Sequence, residues 1–182
     1  MLKSAASLLI MGLLMVLAGP GAERLAAQTP AAQTKATPTA TSAQASLAQL
    51  MKGILYPASN VIFSAQDKNP AEVTPAKEPS TAANPLESTY GKWEAVENAG
   101  LAMAEGANLL TIPGRKCGNG RPVPMRNADW AKFVQGLREA GMKAYQAGKS
   151  KDQDKVLDSA DAVATACANC HDKYREKPER CM

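Results

Sequence analysis

The sequence predicts an all-α protein, an antiparallel bundle of four helices, and three observations lead there. Apolar residues recur at helical spacing in four separate stretches of the chain. Aromatic residues make up only 4% of the chain while alanine is abundant, a composition better suited to closely packed helices than to a sheet. With one exception, the connections between the helical stretches are short, as expected between neighbours of opposite direction. At 182 residues the chain accommodates one such domain plus appendages.

The appendages come first. Lys3 supplies a positive flank to the apolar run from Ser7 to Ala18, which is too short to span a bilayer comfortably, and Leu25-Ala26-Ala27 offers a cleavage site before Gln28. Residues 1–27 therefore read as a signal peptide, with an uncleaved anchor as the alternative. No cysteine stands near the end of the apolar run, which argues against a lipoprotein anchor. Residues 28–45, rich in Ala, Thr, Gln and Pro, have nothing large to bury and read as a disordered leader.

The bundle is expected over residues 46–182. In the first helix Leu47, Leu50, Met51, Ile54, Val61 and Ile62 form one stripe, and the ring of Pro57 meets the carbonyl of Gly53, predicting a kink there. Residues 65–85 are polar and proline-rich and read as a mobile loop, the one long connection. A second helix is expected over about 86–110, burying Trp93, Val96, Gly100, Met103, Ala107 and Leu110. Residues 111–127 are dense in Gly and Pro and form a loop. Asn127 is placed to cap the third helix, whose inward face carries Trp130, Phe133, Val134, Leu137, Gly141, Ala144 and Tyr145 and which Gly148 ends. Ser150-Lys151-Asp152-Gln153 has the capping-box form that starts a helix, and in the fourth one Val156, Ala160, Val163, Cys167, Cys170, His171 and Tyr174 share a face.

That last face contains the chemistry. Cys167-Ala168-Asn169-Cys170-His171 is the attachment signature for a covalent haem c. Each thiol adds across one haem vinyl group, and the adjacent imidazole becomes the proximal ligand of the iron. On a helix, positions i, i+3 and i+4 meet one face of the macrocycle. His171 is the only histidine, which precludes a second haem ligand of that type within the chain. Three other uses of the cysteines compete. Redox dithiols open a helix after a strand, and no strand pattern precedes this one. A zinc site would have to recruit Cys117 and Cys181, although zinc ligands usually come in close pairs. A structural disulfide leaves His171 unexplained. Export and haem attachment fit together, since c-type haem is generally added outside the bacterial cytoplasm, so a periplasmic location is expected. The net charge of +4, with no basic-aromatic array, argues against a nucleic-acid binder.

On these residues the chain resembles the class II c-type cytochromes, the cytochrome c′ family. The likeness is carried by residues 167–175, CANCHDKYR, and by Trp130-Ala131-Lys132-Phe133 at the opening of the third helix. It covers roughly residues 46–176. It implies a bundle holding one haem, with His171 proximal, a first-helix side chain over the distal face, and Arg175 as the basic residue near the proximal imidazole. As a residue in its own right, Arg175 could equally be a solvated helix-end cation. Many relatives dimerise, so a homodimer is compatible with the resemblance.

Two functions follow. One is a single-electron carrier; the other is a binder or sensor of a diatomic gas such as NO or CO at five-coordinate iron. The sixth position discriminates them. Met51 is the thioether candidate for distal ligand, in competition with Leu47, Leu50 and Ile54 and with a plain packing role. No acid–base constellation stands beside the motif, so an enzyme is not expected. The two remaining cysteines, Cys117 and Cys181, are expected to form a disulfide, since free thiols are uncommon in exported proteins. That bridge would gather Arg115, Lys116, Arg121 and Arg126 towards Lys173, Arg175, Lys177 and Arg180, as a patch for an acidic redox partner. Asp172, Glu176 and Glu179 would neutralise part of it.

Overall fold

The structure, a computed structural model, describes residues 42–175 and Cys181. The expected signal peptide and residues 28–41 of the expected leader lie outside the described residues, as do Glu176, Lys177, Glu179 and Arg180. Among the described residues four helices make up the framework, one isolated bridge joins Lys116 to Pro122, and there is no strand. No helix among them is long and apolar enough to cross a membrane.

Helix α1 runs through three consecutive segments: an α-helical turn Leu47–Leu50, a π-helical turn Met51–Leu55 and an α-helical stretch Tyr56–Asp67. Ser46 and Gln49 form a reciprocal capping box at its start, the Gln49 N–H donating to Ser46 Oγ (3.2 Å) and the Ser46 N–H to Gln49 Oε1 (2.9 Å). The kink expected near Gly53 is this π turn, in which the Tyr56 N–H reaches back to the Met51 carbonyl. Pro57 sits in the first turn of the segment that follows, where it needs no donor from the preceding turn. The extra residue corrects the predicted stripe. Ile54 is 37% exposed and Leu55, at 5%, takes its place in the core.

Residues 65–85 are more than a bare loop. Helix α1 continues to Asp67, and the rest carries 3₁₀ turns at Pro70–Glu72 and Pro79–Thr81, with another at Pro85–Glu87. Pro70, Val73 and Leu86 are buried, and the Ala76 N–H donates to the Glu87 carbonyl (3.1 Å). Three apolar anchors in a polar sequence were too sparse to register as periodicity.

Helix α2, Lys92–Leu109, and helix α3, Ala128–Ser150, meet at small residues. A Cβ on Gly100 would lie 2.8 Å from the Gly141 carbonyl oxygen and closer still to the Tyr145 backbone. Since backbone cannot step aside as a side chain can, Gly100→Ala is expected to destabilise the fold by roughly 1–3 kcal/mol. Chemical denaturation measures this, and an unchanged midpoint would contradict the packing described.

Gly148 does not end α3. The helix continues to Ser150, whose Oγ donates to Ala147 O (3.0 Å), and Lys151 closes it in a left-handed conformation (φ 53°). The expected Ser150–Gln153 capping box is therefore absent. Helix α4, Gln153–Tyr174, starts instead on Asp152, whose carboxylate accepts from the N–H groups of Asp154 and Lys155. A charged acceptor at the positive end of a helix outcompetes a serine already bonded to the preceding helix. Asn127 occupies the N-cap position of α3 but makes no side-chain cap; its amide donates to Tyr174 Oη (3.1 Å). Each helix packs on its neighbour in chain order, and α4 closes back onto α1.

Candidate cofactor cavity

Between α1, α3 and the C-terminal half of α4 lies a largely apolar cavity of about 380 Å³. Cys167, Cys170 and His171 line it from α4, where i, i+3 and i+4 fall on one side of the helix. All three are half-buried. Met51 faces the same cavity from α1, and Arg175 lies at its edge. Of the first-helix residues expected to compete for the distal position, Leu47 and Met51 line the cavity, whereas Leu50 and Ile54 do not. Leu55 and Phe63 do, and sequence periodicity gave no signal for Leu55 because it assumes an unbroken α-helix.

The end of α4 is locked to the start of α3. Tyr174 is buried, its hydroxyl donates to Asp129 Oδ1, and its ring packs edge-on against Trp130 with centroids 5.2 Å apart. Lys173 pairs with the other Asp129 oxygen. Hydrogen bonds from Lys173 and Tyr174 hold the Asp129 carboxyl below the usual carboxylate range. No sequence pattern pointed to Asp129, because its partners stand 44 and 45 residues away.

Burial pushes the Cys167 thiol up, against the opposing pull of Arg175. The Cys170 thiol is pushed up to about 11, by burial first and then by Cys167 and Asp129. Both sit in the last turns of α4, where the helix dipole also disfavours an anion. These are protonated thiols at neutral pH, unlike the acidified cysteine at the start of a helix in a redox dithiol.

The other two cysteines are joined to each other. Cys117 and Cys181 form a disulfide with Cα atoms 4.6 Å apart, so neither is available to complete a zinc set with Cys167 and Cys170. Among the described residues no three of His, Cys, Asp and Glu gather as a metal site. Cys117 is presented by a tight turn in which its N–H donates to the Arg121 carbonyl (2.7 Å), and the Cys181 N–H donates to Tyr174 O (3.0 Å). Cys181 also lines the cavity.

The expected basic patch is corrected in one member. Arg115 is buried, 4% exposed, and its guanidinium donates to the carbonyls of Leu109 and Ala45, fixing the loop and the last residue of the leader to the bundle. Arg121 and Lys173 line one shallow cleft beside the disulfide, and Lys173 is paired with Asp129. No protein-family model, characterised protein or solved structure matches the chain.

Proposed function

We propose that this chain is a periplasmic monohaem c-type cytochrome that carries single electrons and catalyses no reaction of its own. The observation that carries this reading is the convergence of Cys167, Cys170, His171 and Met51 on one apolar cavity. Its volume is that of a ligand site rather than a packing flaw. Two raised thiol pKa values at a helix C-terminus weigh against dithiol exchange, and they do not hinder a role as covalent anchors. Gly100 packs against Gly141 and Tyr145, while Gly148 packs against Glu97. The contacts thus descend α3 as they climb α2, which favours the antiparallel bundle of the cytochrome c′ resemblance.

In this reading Cys167 and Cys170 would hold the haem by two thioethers, His171 would supply the proximal ligand, and Met51 would be the distal candidate. The bound group supplies the iron that cycles between ferric and ferrous states. The chain's own residues do the rest. Leu47, Leu55, Phe63, Trp130 and Phe133 exclude water from the cavity, and a drier iron site favours the less charged reduced state. The lock between Asp129, Lys173 and Tyr174 holds the end of α4, and with it the orientation of His171, against α3. Export is part of the proposal, resting on the apolar run from Ser7 to Ala18.

The second reading is a diatomic-gas binder. It is favoured by the rest of the first-helix wall, where Leu47, Leu55 and Phe63 offer iron no ligand. Met51 thus decides between the two. If Met51 coordinates the iron, Met51→Ala should convert a low-spin spectrum to high-spin and open the site to carbon monoxide. A spectrum unchanged by the substitution would assign Met51 to packing and favour gas binding. Absorption spectra of the ferric and ferrous protein report haem type, spin state and sixth ligation together.

A further inference from the structure

Helix α1 presents two parallel rows to the cavity, each with a spacing of four. Leu47, Met51, Leu55, Ser59 and Phe63 form one, and Ala48, Lys52, Tyr56 and Asn60 the other. In an unbroken α-helix a spacing of four drifts by about 40° per step, or roughly 160° between Leu47 and Phe63, which would carry one end of the row off the cavity. The π turn at Met51–Leu55 absorbs one extra residue and removes about 100° of that drift. Both ends of the helix are tied. The Leu47 N–H donates to the Lys116 carbonyl (2.7 Å), and Gln153 donates to the Ala65 carbonyl (2.9 Å).

The two rows differ in chemistry. The first is apolar apart from Ser59, whose hydroxyl is turned back to Tyr56 O (2.9 Å). In the second, Lys52, Tyr56 and Asn60 are all exposed, Tyr56 at 65%, so they line the cavity at its mouth. Among the described residues none hydrogen-bonds their side chains. Arg175 joins them from α4, and among the described residues no Asp or Glu lines the cavity. An apolar chamber whose rim offers an ammonium, a phenol, an amide and a guanidinium is complementary to a ligand with an apolar body and carboxylate edges.

Resting on the haem reading, we propose that Lys52, Tyr56 and Asn60, aligned by the π turn, bind the propionate carboxylates of the haem at the mouth of the cavity, with Arg175 beside them. Charge-assisted bonds of this kind select the edge of the macrocycle that faces solvent. They also place Lys52 where it favours the reduced iron, since removing a nearby cation favours the more positive oxidised state.

The test uses the full-length haem-loaded protein with its propionate carboxylates labelled with ¹³C. Infrared difference spectra should show the labelled carboxylate bands shifted in Lys52→Gln, Tyr56→Phe and Asn60→Ala, and returned towards the wild-type position in Lys52→Arg. Lys52→Gln should also lower the ratio of ferrous to ferric protein at a fixed potential about tenfold, equivalent to a fall of 59 mV for one electron, and this shift should shrink as salt is raised. Labelled bands unmoved by all three substitutions would overturn the rim assignment while leaving the haem reading intact. A wild-type protein without covalent haem would overturn the haem reading, and the rim assignment with it.

Discussion

Cys167→Ala/Cys170→Ala protein is expected to lose covalent haem entirely, and with it much of its cooperative stability. Each single substitution should leave the cofactor held by one thioether or lost, while His171→Ala removes the proximal ligand. The effect on stability follows from the cavity. An apolar space of about 380 Å³ without its occupant leaves the walls of α1, α3 and α4 short of packing partners, a serious loss against the roughly 5–15 kcal/mol of a whole domain. The doubly substituted protein should therefore keep its far-ultraviolet helical signal but melt broadly and bind hydrophobic dyes. Extraction of wild-type protein with acidic acetone provides the matching control, since covalent haem stays with the polypeptide. Colour that leaves with the solvent, or wild-type protein that is colourless from the start, contradicts the proposed attachment. A sharp, unshifted melt in the double variant would instead show that the cavity does not depend on a covalently held group.

Cys117→Ser/Cys181→Ser protein is expected to be less stable by about 4 kcal/mol, because the bridge closes a span of 64 residues and the chain-entropy model assigns that much to a loop of this length. Both half-cystines are buried, so replacing both avoids leaving a single buried thiol. The loss should appear as a lower denaturation midpoint, reproduced when reductant is added to the wild type. The bridge also has a local role. It clamps residue 181 against Gly118, whose N–H donates to the Cys181 carbonyl (3.3 Å), and against Tyr174. Cutting it should therefore loosen the wall of the cavity that Cys181 lines and perturb the haem spectrum as well as the melt. Peptide mapping without reduction should recover the Cys117 and Cys181 peptides joined. Two alkylatable thiols in freshly prepared protein would exclude the bridge, and the gathering of Arg121 towards Lys173 would lose its tether.

Much of this arrangement is legible in the chain because its causes are local. The spacing of Cys167, Cys170 and His171 puts three groups on one helical face whatever surrounds them. The apolar periodicity of the third and fourth helices marks Trp130, Val134, Leu137, Val156 and Val163 as core, and all five are buried. Cys117 and Cys181 pair as expected, leaving Cys167 and Cys170 as free thiols. The same local rules misplace what depends on contacts distant in sequence. The pattern Ser-x-x-Gln occurs at Ser46 and at Ser150 alike. It caps a helix only at the first, since at the second α3 has not yet ended and Asp152 presents a stronger acceptor. Arg115 reads as a surface cation until it is seen that two backbone carbonyls, one of them 70 residues away, satisfy it inside the fold. The exchange of Ile54 for Leu55 has the same origin. Apolar periodicity assumes one unbroken α-helix over those residues, whereas the chain carries one extra residue in the π turn Met51–Leu55, between ends tied at Leu47 and Ala65. That surplus residue points Leu55, rather than Ile54, into the cavity.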